Sequence, residues 1–246
     1  MIDEVKPAGV GERMWMWIGI AVAFAGGAFV QQMGFFDFVR NNPGEIWKLL
    51  LEHIYLVGVS SAIAISIGVP TGILLTRGFM RRYRDGILNI LGISQTVPSL
   101  AVIALSMTYI GIGPNTAIFA LVIYGLLPII RNSVAGLAGV DPVILDAGRG
   151  MGMNSRQLLF KVELPNAMYI ILTGIRTSTV INVGTAAMSF LVGGGGLGDL
   201  IFTGIAMVDP AYMLAGAIPT ACLAIFMNWA FGRVEKWIVS PGLVYH

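Results

Sequence analysis

Polar side chains recurring at helical spacing are the first candidates for chemistry in this chain. Ser178, Asn182, Thr185 and Ser189 follow one another at intervals of four, three and four residues, which puts them on one face of a helix. Gln95, Ser99 and Ser106 line up in a similar way earlier on. Such a face is either a mildly polar path for a solute or hydrogen-bonded packing between helices, and the residues alone leave both readings open. Tyr109 and Tyr124 could offer ring faces to a cation, or pack and anchor at an interface. No nucleophile–base pair or carboxylate pair is spaced for hydrolysis, so the chain reads as a non-enzyme. His53 and His246 have no Cys or His partners at ligand spacing, so no metal site is expected. Gly193–Gly198 formally satisfies G-x-G-x-x-G, but it follows an apolar helix rather than a strand, and a dinucleotide reading fails. The chain also has no Gly-Lys-Ser/Thr phosphate loop, so no cofactor is expected within it.

A second constellation is mechanical rather than chemical. Asp146-Ala147-Gly148, Gly152 and Val162-Glu163-Leu164-Pro165 sit in a polar loop spanning residues 132–165, with Arg149 and Arg156 between them. Asp141-Pro142 is a strong helix start, with a capping acceptor followed by proline in the first turn. Gly148, Gly150 and Gly152 are expected to break that helix. Asn154, with Gln157 three residues on, starts a second helix as a capping box. Pro165 is expected to end it. Two capped helices in one long connector make a rigid knob that another protein could grip.

The elements that carry these groups are membrane spans. Of the 246 residues, 56% are hydrophobic and 11% charged, at a mean hydropathy of +0.81. That balance excludes an ordinary soluble surface and fits an all-α, polytopic bundle. The net charge of +2 gives no reason to expect nucleic acid. Six spans are expected: Met14–Phe36, Ile54–Thr76, Gly86–Ile110 (interrupted by Pro98), Thr116–Ile130, Tyr169–Val192 and Tyr212–Phe231. Met14–Phe36 is too long and its leader too acidic for a cleaved signal, so it is expected to be retained. Lysine and arginine then set orientation. With six spans, Lys6, Arg13, Arg77, Arg81, Arg82, Arg84, Arg131, Arg149, Arg156, Lys161, Arg233 and Lys236 share one side, against Arg40 and Lys48 on the other. Both termini and the 132–165 loop are therefore expected in the cytoplasm.

Before the second span, Asn42-Pro43-Gly44-Glu45 reads as the capped start of an amphipathic helix lying at the outer interface. Pro98, Pro128 and Pro219 are expected to kink their helices. The 13 acidic residues fall in loops or at span ends, which leaves an ion relay no obvious carrier. Arg176 is expected to snorkel to the cytoplasmic surface, and Cys222 to be a buried small hydrophobe.

The loop resembles the signature of permease subunits of bacterial ABC importers, which runs Glu-Ala-Ala, three residues, Gly, nine residues, Ile-x-Leu-Pro. Asp146-Ala147-Gly148, Gly152 and Val162-Glu163-Leu164-Pro165 occupy every slot, with Asp for Glu, Gly for Ala and Val for Ile as mild departures. Gln95–Ala101, Gly111-Ile112-Gly113, Tyr124–Asn132 and Gly193–Asp199 look most like the glycine betaine/choline osmoprotectant permeases. Methionine and other small-solute permeases share the loop but resemble these segments less. The resemblance covers about residues 45–235. It implies a transport domain at 41–246, preceded at 1–40 by a tail and an extra span added to a five-helix core. It further implies that the loop is a coupling helix docked on a cytoplasmic ATPase, with Asp146 through Gly152 as the elbow. The expected partners are a second permease copy or a related permease, two ATPase subunits that hold ATP and Mg, an external substrate-binding protein, and membrane lipid. The expected setting is the bacterial inner membrane. A stand-alone channel or an ion-coupled carrier is the rival from another class, and it would transport without ATP.

Overall fold

The computed structural model describes residues 10–238, and these are mostly helical, with no strand among them. Four helical runs are long and apolar enough to cross a membrane: α3 (Pro43–Leu75), α6 (Pro114–Ala138), the continuous run Ser155–Val192, and a C-terminal helix at Pro210–Ile238. A fifth is available if α1 (Val10–Gln32) and α2 (Phe35–Asn41), which meet at 59° across Met33-Gly34, count as one bent span. The N-terminal tail before Val10 lies outside the described residues.

The expected third span is not one helix. Pro98 forces Val97 out of the helical region, to φ −75° and ψ 130°, so the segment splits into α4 (Arg84–Thr96) and α5 (Ser99–Ile110). The break frees the Val97 carbonyl, and the Tyr124 hydroxyl donates to it from α6. The expected interfacial helix is also absent as a separate element. Residues from Pro43 run straight into the second span as one 33-residue helix. Asn42 makes no side-chain cap; its Nδ2 instead donates back to the Phe38 carbonyl at 3.2 Å. The fourth span extends to Ala138, beyond the charge at Arg131, because Arg131 points outward and costs the helix nothing.

The core centres on α6, whose apolar stretch is mostly buried. It packs between α3 and α9 (Leu164–Ala186), and small residues set the spacing of both crossings. A Cβ on Gly72 would stand 2.4 Å from Ser133 Cβ, and one on Gly174 would stand 2.5 Å from Asn132 Cβ. No larger side chain fits without parting the helices. Leu56, Ala64, Ile103, Leu121, Ile129 and Val183 fill the space between. Beyond α9, a 3-10 turn and a glycine-rich segment lead to α10 (Gly198–Met207), which packs on α11 (Pro210–Ile238). Cys222 is exposed on α11 rather than buried, since little of that helix's apolar surface is covered by its own chain.

Candidate functional site

The polar loop folds into two helical pieces meeting at an elbow. Asp141 Oδ1 accepts from Val143 N at 2.8 Å and starts α7 (Pro142–Gly150). Gly148 and Gly150 do not break this helix. Gly148 is a contact point: a Cβ there would lie 2.7 Å from Leu158 Cδ1, so its absence lets α7 settle on the next helix. The turn falls at Gly152, which takes φ +78° with open space around it. Asn154 then opens α8 (Ser155–Leu158) with a complete capping box: Gln157 N donates to Asn154 Oδ1, and Asn154 N donates to Gln157 Oε1, each at 2.9 Å.

Pro165 does not end this helix. Its missing N–H falls just after a π turn at Leu159–Glu163, where the Leu164 N–H reaches back to the Leu159 carbonyl. Asn166 Nδ2 caps the Val162 carbonyl at 2.7 Å, and the chain continues into α9. The elbow is therefore built directly on the end of a spanning helix.

The residues singled out in the loop divide by exposure. Asp146, Ala147, Arg149, Gly152, Arg156 and Pro165 are exposed, whereas Gly148 and Val162 are buried and Leu164 is half-buried. Asp146 and Arg149 form an exposed ion pair at 2.7 Å. Val143, Met151 and Phe160 are 73%, 70% and 66% exposed, giving the elbow an apolar crest. Sequence reasoning did not single out this crest, because its three residues come from separate turns that only the folded elbow brings to one surface.

The stem is anchored by an ion pair that no local pattern discloses. Arg77, just beyond α3, grips Glu163 with both terminal nitrogens, Nη1 reaching Oε1 at 3.0 Å and Nη2 reaching Oε2. The Glu163 side chain is 9% exposed. An acid between Val162 and Leu164 in an apolar turn was the available signal. An arginine–carboxylate fork of this kind is strong and directional. Arg176 likewise does more than snorkel: it donates to Asn228 at 2.7 Å and to Glu235 at 3.2 Å, tying α9 to α11.

The polar faces within the spans are not gathered into one cavity. Ser178 is fully buried and donates to the Gly125 carbonyl at 2.9 Å, where a Cβ on Gly125 would collide with its hydroxyl. Asn182 is fully buried beside Ser60, Nδ2 to Oγ 3.4 Å, and its Oδ1 has no partner. Thr185 bonds back to Ile181, and Ser189 donates to Ala186 and Gly195. Ser99 approaches Met188 Sδ at 3.2 Å, Ser106 bonds to Val102, and Gln95 is exposed. Ser178 and Asn182 thus lie between α9 and its neighbours α6 and α3. Gln95, Ser99 and Ser106 line α4 and α5 some distance along the chain.

At the end of the bundle opposite the elbow, the glycine segment is latched to α3. Gly196 N donates to Glu52 Oε2 at 3.2 Å, and His53 donates through Nε2 to the Val183 carbonyl at 2.9 Å. Asp199 opens α10 beside them. Burial, reinforced by the nearby Glu52 charge, pushes its carboxyl above the usual range despite Lys48.

A helical bundle with a two-helix elbow on one end is the architecture of a transporter's membrane subunit. The sequence matches the family described as "Binding-protein-dependent transport system inner membrane component" over residues 68–240. The chain belongs to that family. It is 38% identical over 206 residues to the glycine betaine/carnitine/choline transport system permease protein OpuCB of Bacillus subtilis, covering 84% of this chain and 94% of the relative. It is 44% identical over 186 residues to the osmoprotectant import permease protein OsmY of Salmonella typhimurium, covering 74% and 78%. The inward-facing MetNI methionine ABC transporter superposes at a TM-score of 0.70 with 22% identity, over 80% of this chain and 97% of that one, and so shares the fold.

Proposed function

We propose that this chain is the membrane-embedded subunit of an ATP-driven importer for quaternary ammonium osmoprotectants of the glycine betaine, choline and carnitine type. The observation that carries this is the likeness, along most of the chain, to permeases named for those solutes. The exposed elbow supplies the mechanical part. Its apolar crest and the Asp146–Arg149 pair offer a compact surface for an ATPase, and its stem passes into α9 without a hinge, so displacement of the elbow moves the span. ATP and Mg are held by that ATPase. A second permease completes the pathway, and an external binding protein delivers the solute. The arginine-rich elbow side is the cytoplasmic one in the bacterial inner membrane, with both termini there. Gln95, Ser99 and Thr185, which keep exposed surface, border the route the solute takes, and the buried Ser106, Tyr124, Ser178, Asn182 and Ser189 hold together the helices that flank it.

The test is reconstitution of the chain with its ATPase and binding protein in vesicles, followed by uptake of betaine, choline, carnitine and methionine with and without ATP. ATP-dependent uptake of a quaternary ammonium solute is expected. Uptake indifferent to ATP contradicts the importer assignment, and methionine as sole solute contradicts the substrate class.

A further inference from the structure

Where α3, α6 and α7 come together, the chain forms a partly open cavity of about 360 Å³ whose charged lining is Arg77, Arg81, Arg84, Arg149 and a single acid, Glu163. The volume lies within the range of about 300–1,000 Å³ typical of small-ligand sites. Arg77 uses Glu163, Arg84 meets the exposed Asp85 at 3.0 Å, and Arg149 meets the exposed Asp146 at 2.7 Å. The Arg81 guanidinium has neither an ion pair nor a hydrogen bond among the described residues. Even with Asp85 and Asp146 counted, four guanidinium groups face three carboxylates. Like charges converging on one cavity repel, and an anion within it relieves that repulsion. Planar guanidinium forks match the oxygens of a phosphate group, which can accept from several at once. The depth is also suitable. Arg77 lies two residues beyond Leu75, the last residue of a spanning helix, and Leu74 is 56% exposed nearby in sequence. Bilayer phosphates lie at that level, and basic pockets between cytoplasmic helix ends are known to take such headgroups.

We propose that this cavity is a phosphate-group site, filled by the headgroup of an anionic phospholipid or by soluble phosphate. A phosphate there bridges the turn after α3 (Arg77, Arg81), the start of α4 (Arg84) and α7 (Arg149), and so fixes the elbow to the spans. The site does not depend on which solute is carried or on an ATPase being bound.

The full-length chain is placed in phosphatidylcholine nanodiscs, with phosphatidylglycerol added in one arm and inorganic phosphate titrated in the other. Binding is read by native mass spectrometry and by hydrogen-exchange protection of residues 142–150. Retention of phosphatidylglycerol identifies the headgroup as the ligand; saturable protection by phosphate alone identifies the soluble anion. Arg81→Gln disturbs no internal bond, so its fold is retained, and it should weaken binding about tenfold, the usual effect of losing one charge-assisted hydrogen bond. Lys161→Gln, an exposed charge on the same end and outside the cavity, should leave binding unchanged. The proposal is overturned if neither phosphate source binds, if Arg81→Gln binds as well as the parent, or if Lys161→Gln loses as much as Arg81→Gln.

Discussion

Arg77 and Glu163 are 86 residues apart in sequence and share one ion pair, and their unequal exposure predicts unequal mutants. The side chains are 37% and 9% exposed. Arg77→Ala strands a buried carboxylate and should cost towards the lower end of about 3–5 kcal/mol. Glu163→Gln keeps an acceptor for the guanidinium, whose exposed part rehydrates, and should cost about 1 kcal/mol. Thermal denaturation in detergent checks the order, and equal losses would remove the asymmetry. Asp199 gives a pH signature at the other end of the bundle. Its carboxyl is raised in the fold, so its contribution is complete below the ordinary carboxylate range and is lost as pH rises through the raised value. Asp199→Asn should flatten that part of the stability–pH profile, and an unchanged slope would place the titration elsewhere. Neither interaction was legible in the sequence, because both depend on partners from distant segments.

At the scale of elements, local rules read well wherever the chemistry is local. Asp141-Pro142 and Asn154-x-x-Gln157 cap their helices as their residue types dictate. Replacing Asn154 with Ala should cost about 1 kcal/mol and fray α8, measurable as faster amide exchange over residues 155–158. Local rules failed where a neighbour decided the outcome. Gly148 reads as a helix breaker until Leu158 is brought against it, and Pro165 reads as a stop until the π turn absorbs its missing donor. The division between α4 and α5 was visible as Pro98, but its cost depends on Tyr124, 27 residues on, which satisfies the freed carbonyl. Arg131 was read as a span end, yet a charge on an outward face leaves a helix free to continue. The polar faces were legible as faces. Their contacts required the packing of α3, α6 and α9.

For the whole molecule, the Ser155–Val192 run is one continuous helical stretch leading away from the elbow. In the proposed importer, the Gly152 turn is where an ATPase's push would enter it. Open space surrounds Gly152, so a substitution there acts through the backbone alone. Valine at φ +78° costs about 1–2 kcal/mol and re-aims α7 against α8, whereas asparagine, which tolerates the left-handed region, should be mild. In the proposed importer, this elbow converts ATP hydrolysis in a partner into solute movement. The decisive measurement is the number of ATP molecules hydrolysed per solute imported in reconstituted vesicles, for the parent, Gly152→Asn and Gly152→Val. A ratio that rises steeply in Gly152→Val, with hydrolysis retained and Gly152→Asn close to the parent, is the predicted result. A Gly152→Val protein that assembles and imports at the parental ratio would contradict it.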